Sequence, residues 1–151
     1  ARHSAKSKTY SYRIQQGEAP NPMTARYAWY IRRPLDLGAM REALNIILGT
    51  HDFSAFRASG GAPMSPVRTM YDVSLQEIGG GQLECRIHGS GFLYHMVRNI
   101  IGTLASVGLG YITPAGFQKI LEGRDRTKAP ATAPACGLFL DSVDYGSAFH
   151  F

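Results

Sequence analysis

Two strand-like stretches, Val67 to Ile78 and Gln82 to Gly89, meet across the run Gly79-Gly80-Gly81. No other feature of the chain constrains its fold so strongly. In the second stretch Leu83, Cys85 and Ile87 alternate with polar residues. Such period-2 alternation turns one face of a strand to a core. A join made only of glycine supplies the positive φ angles that a tight hairpin needs.

Other elements arrange themselves around this hairpin. Lys8 to Gln15 is a third strand, with Tyr10, Tyr12 and Ile14 on one face. Gly17 to Pro22 is a loop, and Tyr27 to Ile31 a short strand. Asp36 caps a helix running to about Leu48, with Gly49 as its stop and Leu37, Met40, Leu44, Ile47 and Leu48 as its apolar stripe. His51 to Pro66 reads as irregular, with turns such as Ser59-Gly60. A second helix spans about Leu93 to Val107. Thr113 caps a third, with Pro114 at its first position and Gly123 after its end. Arg124 to Gly137 is a loop containing Pro130 and Pro134. Leu138 to Tyr145 is the last strand, and its apolar phase changes between Leu140 and Val143, so a bulge is expected there.

The order is strand, helix, strand, strand, helix, strand, with one extra short strand and one extra helix. This predicts an α+β fold: an antiparallel sheet with helices packed on one face, in a split βαβ (ferredoxin-like) arrangement. No repeat or linker interrupts residues 1–151, so one domain is expected.

The helix from Leu93 has two busy sides. At about 100° per residue, Leu93, Val97, Ile100, Ile101, Leu104 and Val107 share an arc of roughly 120°. The other side carries His95, Arg98, Asn99, Gly102, Ala105 and Ser106. A solvent face would carry Lys and Glu. Small residues instead admit another backbone, so this side is expected to meet another domain, another subunit or a ligand.

Composition bears on the class of partner. The formal net charge is +5, from 16 Lys and Arg against 11 Asp and Glu. That surplus suits a polyanion, and equally suits ordinary solubility. Cys85 and Cys136 form neither a metal-like nor a redox-like pair and read as reduced packing residues, which favours the cytoplasm. No stretch approaches the roughly 20 apolar residues of a membrane span, and the polar, basic first ten residues are no signal peptide. The chain opens at Ala1 without methionine, as a trimmed protein or a piece of a longer one would.

Simple catalytic motifs are missing. The histidines (His3, His51, His88, His95, His150) lack ligand spacing, and the glycine run leads into a strand, not a helix. What stands out is aromatics beside cations. His51, Asp52, Phe53, Phe56 and Arg57 form one group, and Phe92, His95 and Arg98 a second. Tyr10 and Tyr12, near Lys6 and Lys8, form a third. Such groups can stack bases and hold phosphates. Taken singly, each also reads as core aromatics and solvated charge.

Five segments, in order, resemble the TruA family of tRNA pseudouridine synthases. They are Ala1 to Tyr12 (ARHSAKSKTYSY), His51 to Arg57 (HDFSAFR) and Ser65 to Arg68 (SPVR). Gly91 to Asn99 (GFLYHMVRN) with Ile101-Gly102 follows, and then Asp125-Arg126 through Ala133 to Leu140 (APACGLFL). Together they span nearly the whole chain. The resemblance implies isomerisation of uridine to pseudouridine in the anticodon stem-loop of tRNA. It implies no metal or organic cofactor, a homodimer, and a basic cleft between two similar α+β domains that receives a flipped base. An aspartate starts the chemistry by covalent attack.

Carried over by position, Tyr10 resembles the tyrosine that stacks on the target base and assists removal of its C5 proton. Arg98 resembles the arginine that pairs with the catalytic aspartate. Leu138 resembles an apolar wall of the base pocket. His51, Asp52, Arg57, Arg68 and His95 are expected along the cleft. The family's nucleophile lies in an N-terminal motif of the type Gly-Arg-Thr-Asp-Ala-Gly-Val-His-Ala. None of Asp36, Asp52, Asp72, Asp125, Asp141 or Asp144 follows Arg-Thr, and Arg126-Thr127 is followed by Lys128. The resemblance therefore implies that residues 1–151 are a C-terminal domain, without the domain that carries the aspartate, and inactive alone. A non-catalytic RNA-binding module and a structural or dimerisation domain are the competing readings.

Overall fold

The computed structural model describes residues 6–58, 65–93 and 95–144. Its elements run β1 (Ser7–Gln15), β2 (Trp29–Tyr30), α1 (Leu37–Asn45), β3 (Gly49–Asp52), β4 (Val67–Gly79), β5 (Gln82–Gly89), α2 (Met96–Gly108), α3 (Pro114–Gly123) and β6 (Leu138–Asp144). Short 3-10 turns lie at Ser54–Phe56, Arg126–Lys128 and Ala135–Gly137.

The central sheet order is β6-β1-β5-β4, with every neighbour antiparallel. This is the split βαβ order expected from the pattern. β3 extends the sheet beyond β4, and β2 adds a two-residue parallel bridge at the end of β1. Tyr12, Ile14, Leu75, Leu83, Cys85 and Ile87 bury one face of the sheet in a core shared with Met40, Leu44, Ile100, Leu104 and Phe117. Thr9, Ser74, Gln76, Glu84, Arg86 and His88 line a depression on the other face.

Local signals explain much of this. Gly79 pairs with Gln82, and Gly80 and Gly81 turn the hairpin at φ 61° and 79°, as a two-residue turn with two positive φ angles requires. Asp36 accepts from the Ala39 amide at the start of α1, and Thr113 from the Gly116 amide at the start of α3. The expected bulge in β6 exists. Thr9 faces Ser142 and Tyr10 faces Leu140, so Asp141 is the extra residue.

Other boundaries moved. α1 ends at Asn45, because the amides of Ile46, Ile47 and Leu48 bond to carbonyls three residues back and tighten the chain before Gly49. α2 begins at Met96, because His95 adopts a left-handed conformation with φ 57°. α3 keeps Gly123 within its last turn, and Arg124 takes the left-handed cap with φ 56°. β3 emerges from a segment whose sequence looked irregular. Residues 131–133 of the same chain lie across the small-residue side of α2, so close that a Cβ on Gly102 would fall 2.3 Å from the Ala131 carbonyl oxygen. His3, His150, Tyr94, Tyr145 and the Ser59-Gly60 turn lie outside the described residues.

Candidate functional site

The site forms where the first half of β1, the entry to α2 and the start of β6 converge. β1 alternation turns Tyr10, in the first half of the strand, to the same side as Tyr12 and Ile14, but Tyr10 is only half-buried there. Tyr10 pairs with Ile87 on one side and Leu140 on the other. Its ring meets that of Phe92 edge to face, with centroids 5.0 Å apart. Tyr10, Phe92, Leu93, His95, Met96, Val97, Arg98 and Leu138 line one pocket of about 320 Å³. No carboxylate stands among these lining residues.

Arg98 sits on the first turn of α2. Its Nε donates to the Ala133 carbonyl at 2.8 Å, and one terminal nitrogen lies 3.4 Å from His95 Nε2. The backbone closes the loop in return, because the Ala133 amide donates to the Arg98 carbonyl at 2.9 Å. His95, in its left-handed conformation, shares the pocket. A non-glycine residue held at positive φ costs about 1–2 kcal/mol and is found mostly where surroundings over-determine it.

Four of the expected residues are thus brought together: Tyr10, His95, Arg98 and Leu138. His51 and Asp52 are not. They line a separate depression of about 250 Å³ with Thr50, Leu121, Glu122 and Arg124. The Asp52 carboxylate accepts from the Ser54 amide at 2.9 Å and lies 3.8 Å from Arg124 Nε. Partial burial works against its charge, but the Ser54 hydrogen bonds and then the Arg124 charge outweigh it and hold the carboxyl below its ordinary range. Arg68 pairs in register with His51, and its side chain reaches toward Gly91, next to Phe92. It stands between the two hollows. Arg57 is half-buried and follows the Ser54–Phe56 turn.

The aromatics sort differently from their grouping in sequence. Phe53 and Phe56 are wholly buried, and Phe56 stacks on Phe117 with centroids 5.6 Å apart. Tyr12 is also core, and its hydroxyl donates to the Pro134 carbonyl. Burial pushes that phenol far above its ordinary range. None of the three is placed to stack on a ligand. Met96 lines the first hollow and Arg124 the second. Met96 falls within the Gly91 to Asn99 segment but its residue type does not single it out, and Arg124 carries no sequence signal.

Comparison with known proteins matches residues 43–146 to a family model described as tRNA pseudouridine synthase. A tRNA pseudouridine synthase A from Thermoanaerobacter sp. (strain X514) is 44% identical over 145 residues, covering 96% of this chain. That of Acetivibrio thermocellus is 43% identical over 145 residues, again 96% of this chain. That of Neisseria gonorrhoeae is 39% identical over 149 residues, 99% of this chain. The matched part is 59%, 59% and 56% of those three proteins in turn, so the chain spans well under two thirds of their length. With the family model covering more than half of its residues and these relatives aligned along nearly all of it, the chain belongs to the tRNA pseudouridine synthase family.

Proposed function

We propose that residues 1–151 form the C-terminal domain of a TruA-type enzyme that isomerises uridine to pseudouridine in the anticodon stem-loop of tRNA. The observation that carries this reading is the pocket itself. It offers an aromatic ring, an arginine fork and an apolar wall, but none of its lining residues is an acid. Such a pocket is half of a site. A second domain would supply the aspartate, and Arg98 would hold it ionised and aimed. Tyr10 would stack on the flipped base against the Leu138 wall, and its hydroxyl would assist removal of the C5 proton. His95 would border the same base. Arg68, Arg57 and His51 would follow the RNA backbone outside the pocket, with Asp52 supporting the loop that carries them. Asp52 is not read as a replacement nucleophile, since it lines a separate depression from Tyr10 and Arg98. The whole enzyme would act as a homodimer in the cytoplasm. Among the described residues, no helix is long and apolar enough to cross a membrane.

The test is release of tritium from tRNA labelled at uracil C5. The 151-residue chain alone should release none, and the protein extended through an upstream Arg-Thr-Asp-bearing domain should release it. In that longer protein Tyr10→Phe should cut the rate at least about a hundredfold, in the range of lost general acid–base groups, with tRNA affinity nearly unchanged. Turnover by the chain alone would overturn the half-site reading. A Tyr10→Phe loss confined to affinity would reduce Tyr10 to a binding role.

A further inference from the structure

Asn99 lies on α2 beside Arg98, and its side chain is completely buried. A buried amide is costly unless its polar atoms are bonded. Here Nδ2 donates to the Phe56 carbonyl at 2.7 Å. Oδ1 accepts from an Arg126 terminal nitrogen at 3.1 Å and from Thr132 Oγ1 at 2.5 Å. Arg126 also donates to Thr132 Oγ1 at 2.8 Å and to the Ala129 carbonyl at 3.2 Å. The result is a knot of three side chains that ties residues 129–132 down onto α2. Gly102 leaves room for that segment to lie flat. The next residue along is Ala133, whose carbonyl receives Arg98 Nε.

We infer that Asn99 is a positioning residue: through Arg126 and Thr132 it fixes the Ala133 carbonyl, and so sets the plane of the Arg98 guanidinium. The inference rests on the reading of Arg98 as the partner of a carboxylate. An arginine side chain has many rotamers, and its planar fork grips a carboxylate only in a narrow range of orientations. Anchoring Nε to a fixed carbonyl removes that freedom and leaves the terminal nitrogens for the pocket. The knot therefore preorganises the site without touching substrate.

Thr132 is exposed, so changing it should spare the fold. Thr132→Val removes the hydroxyl and keeps the shape. Thr132→Ser keeps the hydroxyl. The first readout is hydrogen exchange of the Arg98 Nε–H, followed by NMR in the 151-residue chain. The second is kcat and KM for tRNA in the protein extended through the upstream domain. Thr132→Val should speed the exchange and lower kcat, each by roughly tenfold, with KM little changed. Thr132→Ser should restore both. Unchanged exchange in Thr132→Val, or equal damage in Thr132→Ser, would overturn the inference. Faster exchange with unchanged kcat would sustain it and would instead overturn the catalytic role given to Arg98.

Discussion

At the residue scale, the chain separates polar groups that line a pocket from polar groups that hold shape, and sequence position alone does not tell them apart. Asn99 and Arg98 are neighbours, both polar, both on the side of α2 away from the apolar stripe. One is buried in a three-way knot and the other lines a pocket. The difference is made by Thr132 and Ala133, more than thirty residues away in sequence. Asp52 shows the same ambiguity. Its motif places it among the substrate-binding candidates, and its carboxylate also accepts from the Ser54 amide of the turn that follows. Asp52→Ala should lower the unfolding free energy by about 1–2 kcal/mol near neutral pH, the usual worth of hydrogen bonds to a charged group. Arg124 is largely exposed, so its ion pair adds little. Because the folded carboxyl is held low, this contribution is full above the unfolded value near ~4 and disappears as pH falls through the folded value. Urea titrations at pH 7 and at pH 3 should show the gap between wild type and variant closing. A gap of the same size at both would mean that the ionised form of Asp52 does not stabilise the fold.

At the element scale, what was legible in the sequence was what local chemistry decides. The triple glycine, the Asp36 and Thr113 caps and the phase slip in β6 all act within a few residues, and all appear as read. What was not legible depends on distant partners. β3 exists because β4 offers an edge, with His51 opposite Arg68, and four residues are too few to show alternation. On the small side of α2, the loop at 131–133 of the same chain lies against Gly102. A close approach between a helix and a backbone leaves the same mark whether the backbone belongs to another molecule or to the same chain. The hairpin allows a graded test of local against long-range causes. Gly80 and Gly81 both have positive φ, so alanine at either should cost about 1 kcal/mol from backbone conformation. A Cβ on Gly80 would meet nothing, whereas one on Gly81 would fall 2.6 Å from the Gln16 carbonyl oxygen. Gly81→Ala should therefore cost a further ~1–3 kcal/mol for the forced shift. Thermal or urea unfolding of the two variants would measure this. Equal losses would show that Gln16 yields freely and that turn conformation is the only constraint.

At the scale of the whole molecule, the resemblance in sequence and the pocket in the structure arrive at one place by different routes. The five segments are scattered from the first residues to Leu140. Folding gathers Tyr10, Phe92, His95, Arg98 and Leu138 at a single opening in the sheet-and-helix core. Arg98 lines that opening and Arg68 reaches toward Gly91 beside it, whereas the separate depression carries His51 and Arg124 together with Asp52 and Glu122. Arg98 and Arg68 thus give the pocket side cations that an anion would meet, within a chain of net charge +5. If that arrangement serves RNA, the isolated chain should still bind an anticodon stem-loop, weakly, because half of the cleft is present. Phosphate contacts release counterions, at roughly 0.7–0.9 ion per contact, so four contacts give a slope of about −3 in log affinity against log salt. Replacing Arg68 with alanine should flatten that slope by about one contact's share and weaken binding to any RNA of similar shape alike. Tyr10→Phe should leave the slope where it was, since it removes no cation. Binding that does not respond to salt, or a slope that Arg68→Ala leaves intact, would move the RNA path away from this face and leave the pocket without the substrate assigned to it.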